Sequence, residues 1–194
     1  MSKNLKSTKI VLVLAVLAIF ISTNTSFAGG AIKVGYDFPG DHEVSAMGFS
    51  GTEDVEAGFS ITGEFFGSIN EYLDLGGGLT WQFPRSQDDY HGDFYFIPLY
   101  AMLRVRSPST ETAPYFIGQL GYNLFDGDSD YKGSGAYEAD LEGGFYYGIG
   151  GGVIIKEHFL VEALYSVNNG TGDILSIDFD VEYSKFSILV GYNF

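Results

Sequence analysis

A run of alternating acids is the segment of this chain best suited to chemistry. Asp126, Asp128 and Asp130 are separated by single residues. Calcium-binding loops repeat carboxylates at this spacing because hard cations prefer several oxygen ligands. The complete loop pattern then requires glycine at position six and glutamate at position twelve, where this chain has Tyr131 and Tyr137. We therefore predict an irregular divalent-cation site at the three aspartates, with a solvated acidic loop as the alternative.

The residue pattern gives little support for nucleophilic catalysis. The chain contains no cysteine and three histidines. His91 lies close to Ser86, Asp88 and Asp89, but no further group is placed to orient its ring as a catalytic triad requires. His158 belongs to a short charged turn, where a solvated side chain is expected. We predict no catalytic residues, no enzyme activity and no cofactor.

Three ionisable residues form a second candidate site. Glu64, Asp74 and Arg104 lie in three successive segments of alternating polarity, each on the face opposite to the apolar side chains. Because buried charges are tolerated only when they are paired, these side chains are predicted to form a cluster of salt bridges. A path for protons or ions is the alternative. Lys33 and Glu162 are predicted to form a similar pair.

The elements that position these residues are β-strands. Side chains alternate between apolar and polar with period two all along the chain, whereas helical periodicity is scarce. The connections are alternately short (68–71, 107–113, 156–158) and longer and polar (39–54, 84–92, 126–140, 168–178). Eight strands are predicted at about 32–38, 55–66, 73–83, 94–106, 114–124, 142–155, 161–167 and 179–194.

The final strand carries the most specific pattern. Phe186, Ile188, Val190, Tyr192 and Phe194 occupy every second position and end the sequence on an aromatic residue. Period two places all five side chains on one face of the strand. Such a stripe is typical of the last strand of an outer-membrane β-barrel, which faces lipid and closes against the first strand. We predict that these residues form the assembly signal.

The first residues match a cleavable signal peptide. Lys3, Lys6 and Lys9 precede an apolar run over 10–21, and small residues precede Gly29. The run is shorter than the roughly 20 residues that a membrane-spanning helix needs. The predicted domains are a signal peptide over 1–28 and one β-barrel domain over 29–194.

Charge restricts the partners. The formal net charge is −15, and cleavage would remove three lysines and no acid. Nucleic acid is excluded because phosphate binding requires a basic patch. Cations and basic partners are favoured.

Side-chain volume distinguishes a membrane barrel from a soluble one of lipocalin type. The interior of an eight-stranded barrel is barely wide enough for side chains to fill. One face of the predicted strands is bulky and apolar, whereas the other is rich in glycine and small polar residues. The bulky face must therefore point outward, which lipid tolerates and water does not. The fold class predicted is all-β, an eight-stranded antiparallel up-and-down transmembrane β-barrel.

The chain resembles the small OmpA/OmpX-like outer-membrane β-barrel family over nearly its whole length after residue 28. The resemblance is carried by Leu73-Asp-Leu-Gly-Gly-Gly-Leu, Pro114-Tyr-Phe-Ile-Gly-Gln-Leu-Gly-Tyr, Phe159-Leu-Val-Glu-Ala-Leu-Tyr165 and Val190-Gly-Tyr-Asn-Phe194. It implies location in the outer membrane of a Gram-negative bacterium. The partners it implies are outer-membrane lipid, lipopolysaccharide and the barrel-assembly machinery, and no catalytic motif of the family maps onto this chain.

The function predicted is a structural or surface-interaction role through acidic extracellular loops, with a closed lumen. A narrow ion channel and a lipid-modifying outer-membrane enzyme are the alternatives. A wide pore is excluded, because aqueous channels need about 16 strands.

Overall fold

The regular secondary structure of the described residues consists of antiparallel β-strands. The computed structural model describes residues 29–86, 93–109, 111–127, 140–174 and 177–194. Its strands are β1 (Gly29–Asp37), β2 (Gly40–Ala46), β3 (Phe49–Val55), β4 (Gly58–Asn70), β5 (Leu73–Gln82), β6 (Arg85–Ser86), β7 (Asp93–Arg106), β8 (Thr112–Gly127), β9 (Asp140–Ile155), β10 (Phe159–Ile174) and β11 (Ile177–Asn193). In the described ranges no helix is sufficiently long and apolar to cross a membrane.

Eight of these strands close into a ring. The order around the ring is β1, β4, β5, β7, β8, β9, β10 and β11, and β11 pairs back to β1. At the seam, the backbone N–H of Gly30 donates to the carbonyl of Phe194 at 3.0 Å, and Phe194 donates back at 2.9 Å. The predicted fold class, an eight-stranded antiparallel up-and-down barrel, is confirmed.

The first long polar connection, predicted over 39–54, contains two strands that form a β-hairpin. β2 and β3 pair from Gly40↔Val55 to Ala46↔Phe49 across a two-residue turn. β11 has two partners along its length, since residues 187–193 pair with β1 and residues 179–184 pair with β2. The hairpin therefore continues the barrel wall beyond β1.

Two predicted boundaries were wrong. β10 and β11 remain paired as far as Ile174↔Ile177, so most of the predicted connection over 168–178 is strand. At the opposite end of the barrel, β4 runs through Asn70, whose side-chain oxygen accepts a hydrogen bond from the Tyr72 N–H at 2.9 Å. The turn after β4 therefore consists of residues 71–72.

The bulky apolar residues lie on the outside of the barrel. Phe116 and Ile149 are 77% and 67% exposed, and the outward residues of β11 are apolar from Phe186 to Phe194. That stretch has the length of a membrane-crossing strand, about 9–11 residues. The outward residues of β2 are the polar Asp41, Glu43 and Ser45, so the β2–β3 hairpin lies beyond this apolar belt.

Candidate functional site

The centre of the barrel holds a buried ion triad, which we call the central cluster (Lys33, Glu64 and Glu162). The Lys33 Nζ lies 2.8 Å from Glu64 Oε1 and 2.8 Å from Glu162 Oε2. All three side chains are fully buried. The pairing of Lys33 with Glu162 that the strand phases predicted is confirmed. Burial of two carboxylates at this depth requires the shared ammonium and further donors.

Tyrosine hydroxyls provide those donors, and glycines make room for them. Tyr100 donates to Glu64 Oε1 at 3.0 Å, and Tyr115 donates to Glu162 Oε2 at 2.7 Å. A Cβ at Gly78 would lie 2.7 Å from the Tyr100 oxygen, and a Cβ at Gly152 would lie 2.8 Å from the Tyr115 oxygen. The inward glycines thus allow large side chains to cross a narrow lumen.

A second triad, the upper cluster (Asp37, Arg85 and Lys185), lies toward the β2–β3 hairpin. Arg85 Nη2 is 2.8 Å from Asp37 Oδ2, which the Lys185 ammonium also contacts. The Ser187 hydroxyl donates to Asp37 Oδ1 at 2.6 Å, and Arg85 Nη1 donates to the Tyr183 oxygen at 2.7 Å. This cluster lies one level above the central cluster.

The third triad, the lower cluster (Asp74, Arg104 and Arg106), lies toward the chain terminus at Phe194. Arg104 donates from Nε to Asp74 Oδ2 at 3.0 Å, and its Nη2 lies 3.0 Å from the same oxygen. Arg106 Nε is 3.2 Å from that oxygen as well. The Arg104 guanidinium also stacks over the Phe66 ring, 4.1 Å from its centroid, which favours the cation further.

Aromatic and polar side chains fill the space between the clusters. Tyr100, Tyr146, Phe94 and Phe96 are buried in the lumen. Around the central cluster they leave a cavity of about 10 Å³, roughly the space of one water molecule. The central and upper clusters together contain three cations and three carboxylates, so their formal charges balance.

The predicted cluster of Glu64, Asp74 and Arg104 is divided between two levels of the barrel. Asp74 pairs with Arg104, whereas Glu64 pairs with Lys33. Sequence reasoning missed Asp37 and Arg85 as site residues. The signal for Asp37 was present, since it alternates with the outward Tyr36 and Phe38 of a predicted strand. Arg85 follows Pro84 in a predicted loop and gave no such signal.

The terminal stripe lies on the outer surface. Phe186, Val190, Tyr192 and Phe194 are exposed, and Ile188 is partly exposed. The Phe194 ring covers Gly30 of β1, where a Cβ would lie 2.7 Å from the ring. The terminal residue therefore contacts the first strand through both its backbone and its side chain.

The predicted cation site falls mostly beyond the described residues. Asp128 and Asp130 lie outside the described residues. So do His91, Asp88 and Asp89, which were considered as a catalytic set. Asp126 is described, and it accepts hydrogen bonds from the Tyr95 hydroxyl at 3.2 Å and from the Gly127 N–H at 2.9 Å. Within the described part of the chain, no three His, Cys, Asp or Glu side chains are grouped as metal ligands.

His158 was predicted to be a solvated turn residue, and its side chain is exposed. Its ring nevertheless stacks on Tyr192 at 5.2 Å between centroids, and Nδ1 lies 3.1 Å from the Asn193 carbonyl oxygen. These contacts attach the turn to the last strand of the barrel.

His42 is a buried titratable group of the upper barrel. It lies in β2 beyond the apolar belt and packs on the Phe94 ring at 4.9 Å between centroids. Burial disfavours the charged imidazolium and lowers the pKa of His42 to about 4. The side chain is therefore neutral in the folded barrel at neutral pH.

Acid should weaken the upper barrel through this histidine. Since the pKa of His42 is lower in the folded state than the 6.5 of an unfolded chain, its contribution to stability is complete above pH 6.5. That contribution is lost as the pH falls toward 4, by roughly 3 kcal/mol in total. We expect the free energy of unfolding, measured in urea at pH 7 and pH 4.5, to fall more for the wild type than for His42→Gln. Equal losses in the two proteins would contradict this assignment.

Comparison with known proteins identifies the class to which this barrel belongs. The sequence profile of the outer membrane protein beta-barrel domain matches residues 10–194. The structure is similar to outer membrane protein OprG from Pseudomonas aeruginosa, with a TM-score of 0.51, 15% identity, and coverage of 86% of this chain and 95% of that one. It is also similar to Neisserial surface protein A, with a TM-score of 0.51, 17% identity, and coverage of 85% and 97%. A search of curated proteins found no match.

The fold and the profile together define a transmembrane β-barrel. The chain belongs to the outer membrane protein beta-barrel domain family. It is an outer-membrane protein of a Gram-negative bacterium. In such barrels both termini and the short turns face the periplasm, so the β2–β3 hairpin is extracellular and the lower cluster is periplasmic.

Proposed function

We propose that this protein has a structural and surface-interaction role in the outer membrane, with a closed lumen and no enzyme activity. The observation that carries the proposal is the stack of three ion clusters along the lumen. Each carboxylate in the stack contacts at least one cation within 3.2 Å, and this pairing at three successive levels supports a closed lumen. Because a closed lumen admits no ligand, we infer that other molecules bind at the extracellular end of the barrel.

The charge of that end indicates what it contacts. Glu43 and Glu182 lie directly opposite each other in the β2–β11 ladder, and Asp41 lies opposite Asp54 in the β2–β3 ladder. Like charges at directly opposite positions destabilise a sheet. A cation or a basic group placed between them would relieve this repulsion. The partners proposed are therefore cationic ligands, divalent cations and cation-bridged lipopolysaccharide.

Acidic side chains line one groove on the outer surface of this end. It has a volume of about 450 Å³ and lies between the outer parts of β2, β9, β10 and β11. Glu43, Asp180 and Glu182 line it, together with Asn169 and Thr171. The divalent site at Asp126, Asp128 and Asp130 stays a separate prediction.

Binding of a cationic probe tests the proposed surface role. We expect oligolysine to bind the refolded barrel in nanodiscs, with an affinity that falls as salt rises, because exposed charges are screened. Glu43→Gln with Glu182→Gln should weaken binding severalfold by removing two charges from the groove. Glu71→Gln with Glu157→Gln removes two exposed charges at the periplasmic end and should leave binding unchanged. Equal effects of the two pairs of substitutions would contradict the role of the extracellular end.

The alternative function of a lipid-modifying enzyme has a direct test. Lipid A from cells with and without the expressed protein can be compared by mass spectrometry. Identical spectra are expected, and a new acylation state that depends on the protein would contradict the proposal.

A further inference from the structure

The β2–β3 hairpin has features that the barrel wall does not require. At its tip, Met47 and Phe49 are 76% and 82% exposed. Both turn residues have positive φ, 51° at Met47 and 83° at Gly48. A turn of this kind favours glycine or asparagine at both positions, so methionine at the first one is an unfavourable choice for folding alone. An exposed apolar tip on a strained turn indicates a contact surface.

The backbone edge of β3 is the second feature. Within the described ranges, β3 pairs with β2 alone. In a hairpin closed by a two-residue turn, the Ala46↔Phe49 pair is hydrogen-bonded and the pairs alternate from there. The N–H and C=O groups of Ser50, Thr52 and Asp54 therefore point away from β2. These three residues present an edge to which another strand can add.

Charge selects the occupant of this edge. Residues 39–57 contain five acids, Asp41, Glu43, Glu53, Asp54 and Glu56, and neither lysine nor arginine. Charged side chains on an edge strand oppose pairing with a strand of the same sign. A second copy of this hairpin would place acids against acids, whereas a basic strand would neutralise them.

We propose that β3 binds an extended basic segment of an extracellular protein partner by strand addition, with the Met47–Phe49 tip contacting its apolar residues. This proposal rests on the surface-interaction role proposed above and names its partner class. The partner strand hydrogen-bonds to Ser50, Thr52 and Asp54, and its basic side chains lie over Glu53 and Asp54.

A peptide of alternating lysine and valine is the probe for this site, and oligolysine with the same number of lysines is its control. We expect the alternating peptide to bind the refolded barrel in nanodiscs about tenfold more tightly than oligolysine, since only the former combines strand propensity with apolar contacts. Thr52→Pro removes an edge N–H without removing a hydrogen bond to β2. It should reduce this affinity about tenfold.

The tip and the folding of the variants are examined in parallel. Met47→Ser with Phe49→Ser should also reduce the affinity for the alternating peptide about tenfold and leave the affinity for oligolysine unchanged. Because the ring closes through β1, β4 and β11, heat-modifiable gel migration should be the same for all variants.

Three outcomes would overturn the proposal. Equal binding of the two peptides, unaffected by Thr52→Pro, would leave the acidic surface role intact and reject strand addition. Absence of binding by either peptide would reject this proposal together with the cationic surface role. A wild-type dimer that Thr52→Pro dissociates would instead identify a second copy as the occupant.

Discussion

Replacing Lys33 by methionine is expected to destabilise the folded barrel by roughly 3–5 kcal/mol, the cost of removing one partner from a buried ion pair. Lys33 is the cation shared by Glu64 and Glu162, and all three are fully buried. Without the ammonium, two carboxylates would face each other in a medium that solvates neither. The measurement is the free energy of unfolding in urea at neutral pH.

A charge-matched variant separates electrostatics from lost packing. Lys33→Met combined with Glu64→Gln and Glu162→Gln removes all three charges while it keeps similar side-chain volumes. We expect this triple variant to recover most of the lost stability. If it is as unstable as Lys33→Met alone, packing around Lys33 rather than charge pairing accounts for the effect.

Deletion of Phe194 is expected to leave the protein secreted but largely unassembled. The residue contributes the last two backbone hydrogen bonds between β11 and β1, and its ring covers Gly30. Phe194→Ser keeps the backbone pairing and removes only the terminal aromatic group. Heat-modifiable migration on a gel and the amount of protein in the outer-membrane fraction measure assembly.

Phe116→Ser is the matched control for this prediction. Phe116 is also a lipid-facing phenylalanine, 77% exposed, but it lies on β8, away from the seam. Serine at this site removes the same aromatic surface from lipid and should assemble nearly normally. Normal migration of the Phe194 deletion, or an equal defect in Phe116→Ser, would contradict a specific role for the terminal stripe.

The ring of eight strands could be predicted because lipid imposes period two on each of them. Inside the apolar belt, outward residues such as Ile149 and Val190 are apolar, whereas inward positions hold glycines, polar groups and some large buried side chains. Beyond the belt the polar face points outward, since on the outer half of β11 Asp180 and Glu182 are exposed whereas Val181 between them is buried. No apolar face points outward there, so the β2–β3 hairpin and the outer part of β10 were predicted as polar connections.

The burial of Glu64, Asp74 and Arg104 was predictable, whereas their division between two clusters was not. Strand phase places Glu64, Asp74 and Arg104 inside the barrel, which burial confirms. Pairing depends on register, which phase alone does not determine. Asp74 lies opposite Arg104 in one ladder and opposite Ser68 in the other, so Glu64, four residues before Ser68, lies at a higher level. That level also holds Lys33.

Conductance across a planar bilayer tests the closed lumen most directly. A variant with Phe96→Ala, Tyr100→Ala and Arg104→Ala removes large side chains at three levels of the lumen and serves as the positive control. We expect the wild-type barrel to give no steady current above the bilayer baseline and the folded triple variant to conduct. Steady wild-type current that reverses with the applied voltage would contradict the account and favour a narrow channel.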